Sequence, residues 1–272
     1  MSFEITSELL ANITSYIEVS NDKAIVALFE EMHYADIAEI LDELSFDDVV
    51  YIIKLLDSEK TSAVLMELDE DIREKTLQNL SAKEIAEEVE ELDSDDAADI
   101  IGELSEERQE AVLSKIEDEE HVKEIEELLA YDEDSAGGLM AKELVKVNEN
   151  WTVLKCVREM RTQAEEVTRV HSIYVVDNND KLKGRLSLKD LLITSTKTAI
   201  SEVYIPKVDF VNVHDNLDEV SNKMRKYDLE AIPVIDNNGV LLGRITIDDI
   251  VDVIKEGADK DYQLAAGLTQ DV

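Results

Sequence analysis

The sequence predicts a multidomain chain in which an all-α, superhelical, solenoid-like N-terminal domain is followed by a tandem pair of α/β repeats. Three observations predict it. A chain of 272 residues is long enough for two or three domains, and its composition changes sharply near residue 134. Up to Asp134 there are 42 acids and 9 bases, net −33, against 23 acids and 18 bases after it, net −5. Both prolines, Pro206 and Pro233, and all glycines but Gly102 follow the same point. The second and third observations are internal repeats, one on each side of it.

The first repeat is a leucine followed by a helix-capping residue: Leu44-Ser45, Leu56-Asp57, Leu68-Asp69, Leu80-Ser81, Leu92-Asp93 and Leu104-Ser105, twelve residues apart each time. A second apolar residue stands nine further on, at Ile53, Leu65, Leu77, Val89, Ile101 and Leu113, and Met32 with Leu41 extends the pattern upstream. Ser and Asp accept hydrogen bonds from the first free amides of a helix, and the acids in Ser45-x-x-Asp48, Ser81-x-x-Glu84 and Asp93-x-x-Asp96 favour its positive end. Each unit therefore reads as a short capped helix. Helices this short are unstable alone in water, so successive units must stack as 24-residue hairpins in a solenoid. One long acidic helix is the competing reading. It fails because a twelve-residue repeat winds its apolar stripe around the rod.

The second repeat aligns Ile173 to Asn179 and Gly184 to Asp190 with Ile232 to Asn238 and Gly243 to Asp249, offset by 59 throughout. Each copy reads as strand, Asp/Asn turn, strand and a helix capped by Ser187 or Thr246, preceded by an amphipathic helix near Val153 to Gln163 or Leu217 to Tyr227. The first copy carries a few extra residues around Glu165 to Val170.

Composition excludes several functions. A net charge of −38 argues against nucleic-acid partners, which require clustered Lys and Arg. No apolar run approaches bilayer length and the N-terminus lacks a signal segment, so the chain as given is expected to be soluble and to sit in a reducing cytoplasm. One cysteine, Cys156, forms no internal disulfide, and His33, His121, His171 and His214 have no zinc spacing. His33 and His121 are expected to be partly buried on solenoid helices, His171 and His214 at the surface or edge of the repeats, and Cys156, Trp151 and Met160 in packing. No catalytic motif occurs and no enzyme is expected. Asp132-x-Asp134-x-Ala136-Gly137 with Glu143 in twelfth place nearly spells a calcium loop. Ala136 breaks it, and Leu144, Val145 and Val147 read as extended chain; Gly137-Gly138 then read as a tight turn.

The order helix, strand, strand, helix in tandem copies of about 60 residues resembles the cystathionine-β-synthase-type (CBS) domain pair of regulatory modules, over nearly all of residues 136 to 256. An acidic solenoid joined to such a pair through Tyr131 to Met140 resembles the cytosolic part of an MgtE-type magnesium transporter. The expected domains are 1–134, an acidic helical-repeat domain; 135–198 and 199–262, the two CBS domains; and 263–272, a tail leading toward a membrane domain absent here.

The resemblance implies a homodimer through the CBS repeats, at the cytoplasmic face of the membrane, in which cytosolic Mg²⁺ bridges acids between solenoid, CBS pair and membrane connection and closes the gate. By local motif it assigns the ion to Asp95 and Asp99 on the solenoid and to Asp218, Asp228, Asp249 and Asp252 in the second CBS copy. Ala63, Gly257 and Lys260 stand where the family carries acids, with Glu256, Asp259 and Asp261 close by. Elementary electrostatics points the same way. Mg²⁺ takes oxygen ligands and keeps several waters, so one or two carboxylates per site suffice. Two carboxylates about 6 Å apart repel by roughly 3 kcal/mol at an effective dielectric of about 20, less in salt. One weak site at half saturation supplies only about 0.4 kcal/mol, so several are required.

The resemblance also implies an adenine nucleotide, in the modulatory role of ATP, between the repeats at Ser187-x-x-Asp190 and Thr246-x-x-Asp249. A capped helix start explains both motifs equally well. The alternative function is a soluble CBS-type nucleotide sensor whose solenoid recruits a protein partner; a scaffold without ligand is the third reading.

Overall fold

The computed structural model describes residues 4–164, 167 and 169–255. These divide into two compact units, one drawn from the described residues of 1–92 and 96–123 and one from those of 93–95 and 124–272. The solenoid and the tandem α/β repeats are both present, so the predicted fold class holds.

The first unit is built from short helices: α1 (Ser7–Glu18), α2 (Asp22–Phe29), α3 (Tyr34–Asp42), α4 (Phe46–Ile53), α5 (Ser58–Glu67), α6 (Glu70–Asn79), α7 (Ala82–Val89), α8 (Ser94–Gly102), α9 (Glu106–Leu113) and α10 (Glu119–Leu128). The last of these begins in the first unit and ends in the second. Ser45, Asp57, Asp69, Ser81 and Ser105 are the N-caps that the twelve-residue spacing predicts. Ser81 and Glu84 close a reciprocal capping box, whereas Asp69 and Ser105 make no side-chain cap bond. His33 corrects the expectation of partial burial: it is exposed, and its Nδ1 accepts from the Ala35 amide at the start of α3. His121 fits it, with Nε2 3.3 Å from the Val89 carbonyl oxygen.

Helix α3 packs on α5, α5 on α7 and α7 on α9, while α4 packs on α6. Alternate helices thus form the layers of a 24-residue hairpin repeat. Ile37, Ile40, Ile52, Leu65, Leu77, Ile85, Ile101 and Val112 are all 2 % exposed or less, each worth about 1.5–3 kcal/mol of burial. The hairpins are also laced by a recurring polar contact. Lys60 of α5 donates to the Phe29 and Glu30 carbonyls at the end of α2. Arg108 of α9, 48 residues later, donates to the Leu77 and Leu80 carbonyls at the end of α6, at 3.0 and 2.8 Å. Between them the polarity is reversed: Lys54 at the end of α4 pairs with Glu84 of α7 at 3.3 Å. Cations suit helix C-termini, where carbonyls lack partners.

In the second unit, β1 (Val145–Asn148) runs parallel to β2 (Ile173–Val176), which pairs antiparallel with β3 (Leu182–Leu186), and β3 with β4 (Ile205–Pro206). The second copy places β5 (Val211–Asn212) parallel to β6 (Ala231–Ile235) and β6 antiparallel to β7 (Leu241–Thr246). Helices α11 (Val153–Gln163) and α13 (Leu217–Tyr227) lie at the expected positions, and α12 (Leu188–Ile193) and α14 (247–255) follow their caps Ser187 and Thr246. Trp151, Cys156 and Met160 pack in the core of the first copy.

The copies are related by a local twofold that the hydrogen bonds make explicit. Leu182 N donates to Gly239 O and Leu241 N donates to Asp180 O, reciprocal bonds between equivalent residues. Asp180 and Gly239 both have positive φ, 55° and 84°. Asp177 and Asp236 close identical turns by accepting two amides each, from Asn179 and Lys181 and from Asn238 and Val240. Each copy also lends a segment to the other's sheet edge. Ile205, ahead of the second copy, pairs with Arg185 of the first, and Ala141, ahead of the first, pairs with Arg244 of the second. Gly184 and Gly243 admit these segments: a Cβ on either would lie 2.3 Å from Ile205 O or 2.6 Å from Ala141 O. Gly137 and Gly138 serve space in the same way. Neither has positive φ, but a Cβ on Gly137 would meet Val213 and Tyr131 at 2.7 Å, and one on Gly138 would meet Asp132 O at 2.5 Å.

Candidate functional site

The joint leading into the first α/β copy gathers charged residues from distant parts of the sequence. Residues 93–95, at the start of α8, belong to the second unit. There Ser94 donates through its amide and its hydroxyl to the two Glu143 carboxylate oxygens, at 3.0 and 2.9 Å, and its hydroxyl oxygen accepts from the Lys142 amide. Arg244 enters from β7. Its Nε donates to the Glu143 carbonyl at 2.7 Å and its terminal nitrogen pairs with Asp93 at 3.0 Å, with the Arg244 side chain 7 % exposed. Lys142 pairs with Glu127 at 2.7 Å.

Asp93, Asp95 and Glu143 bring carboxylate oxygens within 4.8 Å of one another, and Asp95 is 9 % exposed. Such a group could ligate a cation, but Arg244 already supplies a positive charge to it and Glu143 is engaged at both oxygens. Its chemistry is that of an ion-pair staple. Glu143 is therefore not the last ligand of a calcium loop, and it is followed by strand β1.

The residues assigned by sequence fall in separate places. Asp95 and Asp99 lie one turn apart on α8, Asp95 buried and Asp99 exposed. Asp218 is exposed in the first turn of α13 and Asp228 is exposed at its C-cap with φ 49°. Ten residues of helix put them about 15 Å apart along the axis, too far to share one ion. Asp249 is half-buried and accepts from Thr246 at both carboxylate oxygens, from the amide at 2.7 Å and the hydroxyl at 2.8 Å. Only its remaining lone pairs are open to a ligand. Asp252 is exposed and pairs with Lys255 at 2.9 Å. Glu256, Gly257, Asp259, Lys260, Asp261 and the tail 263–272 lie outside the described residues.

At the nucleotide motifs, the Ser187 hydroxyl accepts from the Asp190 amide at 3.4 Å and so caps α12, whereas Thr246 donates to Asp249 through its amide and its hydroxyl. Two groups near them escape sequence reasoning. Tyr174 on β2 is 1 % exposed, and burial pushes its phenol up to about 12. His171 is half-buried, as an edge residue is, but its Nδ1 is buried without a partner. Burial, then Arg244 and Arg169, hold the ring below its usual range. The one visible signal is that Tyr174 stands where the second copy has Pro233. A cleft of about 350 Å³ opens between α13 and α14, lined by Met224, Leu229, Ile247, Ile250, Val251 and Ile254 with Asp228 at its edge.

Comparison with known proteins bears on most of the chain. Residues 32–134 match the MgtE intracellular N domain, and residues 136–195 and 200–256 match the CBS domain. A solved structure of the cytosolic domain of the Mg²⁺ channel MgtE in complex with ATP is 33% identical, superposes with a TM-score of 0.83, and is covered over 100% of its length by 90% of this chain. This chain belongs to the MgtE family of magnesium transporters.

A solved structure of the soluble part of a magnesium transporter is 28% identical with a TM-score of 0.78, over 92% of this chain and 98% of that one. The magnesium transporter MgtE of Thermus thermophilus is 41% identical over 131 residues, 48% of this chain and 29% of the relative. That of Enterococcus faecalis is 36% identical over 140 residues, 52% of this chain and 31% of the relative. The chain therefore matches about three tenths of the length of these transporters. The family is one of transporters, not enzymes, and no helix among the described residues is long and apolar enough to cross a membrane.

Proposed function

We propose that the chain is the cytosolic Mg²⁺-sensing region of a magnesium transporter, in which Mg²⁺ bridges acids of the helical domain and the CBS pair and favours a compact, closed-gate state. Residues 1–134 form the ion-responsive helical domain, and 135–198 with 199–262 form the CBS pair. The observation that carries the reading is the charge distribution: a folded helical domain with net −33 in 134 residues repels other acidic surfaces unless cations intervene. Family membership supplies the ion.

Asp95, Asp99, Asp218, Asp228, Asp249 and Asp252 are the proposed ligands. Exposure of Asp99, Asp218, Asp228 and Asp252 suits ions that keep most of their water, and the spread of the acids implies several weak sites. The region sits at the cytoplasmic face of the membrane below the transporter's own membrane domain, and pairs as a homodimer through the CBS helices. The exposed apolar residues Leu188, Leu192, Ile193, Val251 and Ile254 support that surface. ATP is the proposed modulatory nucleotide, near Ser187, Asp190, Thr246 and Asp249; the ATP complex of the related cytosolic domain supports it.

Thermal melting with Mg²⁺ and with ATP, each alone, tests the reading. The sensor requires a melting temperature that rises with Mg²⁺ in the absence of nucleotide. A chain indifferent to Mg²⁺ but stabilised by ATP is instead a nucleotide sensor whose solenoid recruits a protein.

A further inference from the structure

The N-caps of α3, α5, α7 and α9 are His33, Asp57, Ser81 and Ser105, each 24 residues after the last. In that register Glu88 of α7 is equivalent to Ile40, Val64 and Val112, all 0% exposed. A carboxyl group thus stands where the other three helices place a fully buried aliphatic side chain, and Glu88 itself is half-buried. Its Oε2 is buried and has no hydrogen-bond partner.

The charges around it are of its own sign. Asp57, at the start of α5, acts on it from the neighbouring hairpin, and Glu84, Glu87 and Glu91 act on it from its own segment. The cations of the region are engaged elsewhere: Lys54 with Glu84, Lys83 with Glu87, and Arg108, from α9 on the other flank, with the Leu77 and Leu80 carbonyls. Burial first, then Glu87, Asp57, Glu91 and Glu84, push the Glu88 carboxyl up to about 8. An unpaired carboxylate in such a place is destabilising, and the group responds by holding its proton.

We propose that Glu88 is a proton-operated switch in the solenoid: protonated, it packs as its aliphatic equivalents do, and ionised, it loosens α7 from α5 and α9. Folded-state affinity for the proton exceeds that of the unfolded chain, so the stabilising effect is complete in acid. It is lost as pH climbs from the ordinary carboxyl range toward 8 and is level above that. The switch needs no divalent ion. It makes the rigidity of the helical unit depend on protons across the neutral range.

Two measurements on the full chain test it. The first is thermal unfolding by far-ultraviolet circular dichroism of the wild type, Glu88→Gln and Glu88→Val, the last restoring the repeat's own choice. Both variants should melt within about 1 °C of wild type near pH 5 and about 4 °C or more above it near pH 9. A difference that does not change with pH overturns the proposal. The second is carbon-13 NMR of the Glu carboxyls, with Glu88 assigned by its absence in Glu88→Gln. A midpoint near 8 is the expected result and an ordinary one near 4.5 overturns the proposal; should both variants misfold, a wild-type spectrum in which no glutamate carboxyl titrates near 8 overturns it without assignment.

Discussion

Replacing Arg244 by Met tests whether the staple at Asp93, Ser94 and Glu143 holds the second unit together. Met keeps most of the aliphatic stem and removes the guanidinium. Two charge-assisted contacts disappear, to the Asp93 carboxylate at 3.0 Å and to the Glu143 carbonyl at 2.7 Å. Breaking a fully buried ion pair costs about 3–5 kcal/mol. Here the Asp93 side chain is 25 % exposed and water recovers part of the loss, so about 2–3 kcal/mol is expected. Trp151, the single tryptophan, packs against the core of the first α/β copy, so its fluorescence in a urea titration follows the second unit alone. Asp93→Asn should cost about 1 kcal/mol, and the double variant should lose less than the sum, because the pair couples. An Arg244→Met midpoint equal to wild type, or strict additivity, would refute the reasoning.

Other substitutions read out separate parts of the fold. Thr76 is fully buried with an unpartnered hydroxyl and stands in register with Ile52 and Ile100, so Thr76→Val should stabilise the helical unit by about 1–2 kcal/mol in a circular-dichroism melt; destabilisation would contradict the packing described. Gly138→Ala places a methyl 2.5 Å from Asp132 O and 2.9 Å from Glu133 Cα, both backbone atoms, and should cost about 1–3 kcal/mol by Trp151 fluorescence. Burial pushes the Cys156 thiol up to about 11. A disulfide reagent should therefore label it only after the second unit unfolds, and rapid labelling of native chain at neutral pH would place it wrongly in the core.

The helical repeat was legible because capping and burial are both local and recur every twelve residues, so Ser45, Asp57 and Ser81 mark helix starts to the residue. Asn21, which caps α2, keeps that period, but Ser20 stands where the repeat has an apolar residue before the cap, and Thr6, which caps α1, lies outside the period, so neither gives a comparable signal. In the second half, the strands and helices were legible from the 59-residue offset. The offset is 64 for α11 and α13, which locates the first copy's extra residues between helix and strand. What stayed hidden was long-range. Arg244 and Asp93 are 151 residues apart, and no local pattern joins them. The exchange of Ala141 and Ile205 between copies depends on two glycines whose importance is visible only once another strand lies on them. Glu88 was in plain view, since only the 24-residue register is needed to find the acid among aliphatic equivalents. The candidate ion ligands were nameable by motif, but not the fact that Asp249 spends both oxygens on Thr246.

The ion-clamp account is tested most directly by small-angle X-ray scattering of the chain, first with chelator and then through a Mg²⁺ titration. The account predicts a radius of gyration that falls as Mg²⁺ rises, and a weaker fall when Asp95, Asp99, Asp249 and Asp252 are changed to Asn. A radius that is the same with chelator and with saturating Mg²⁺ would contradict it.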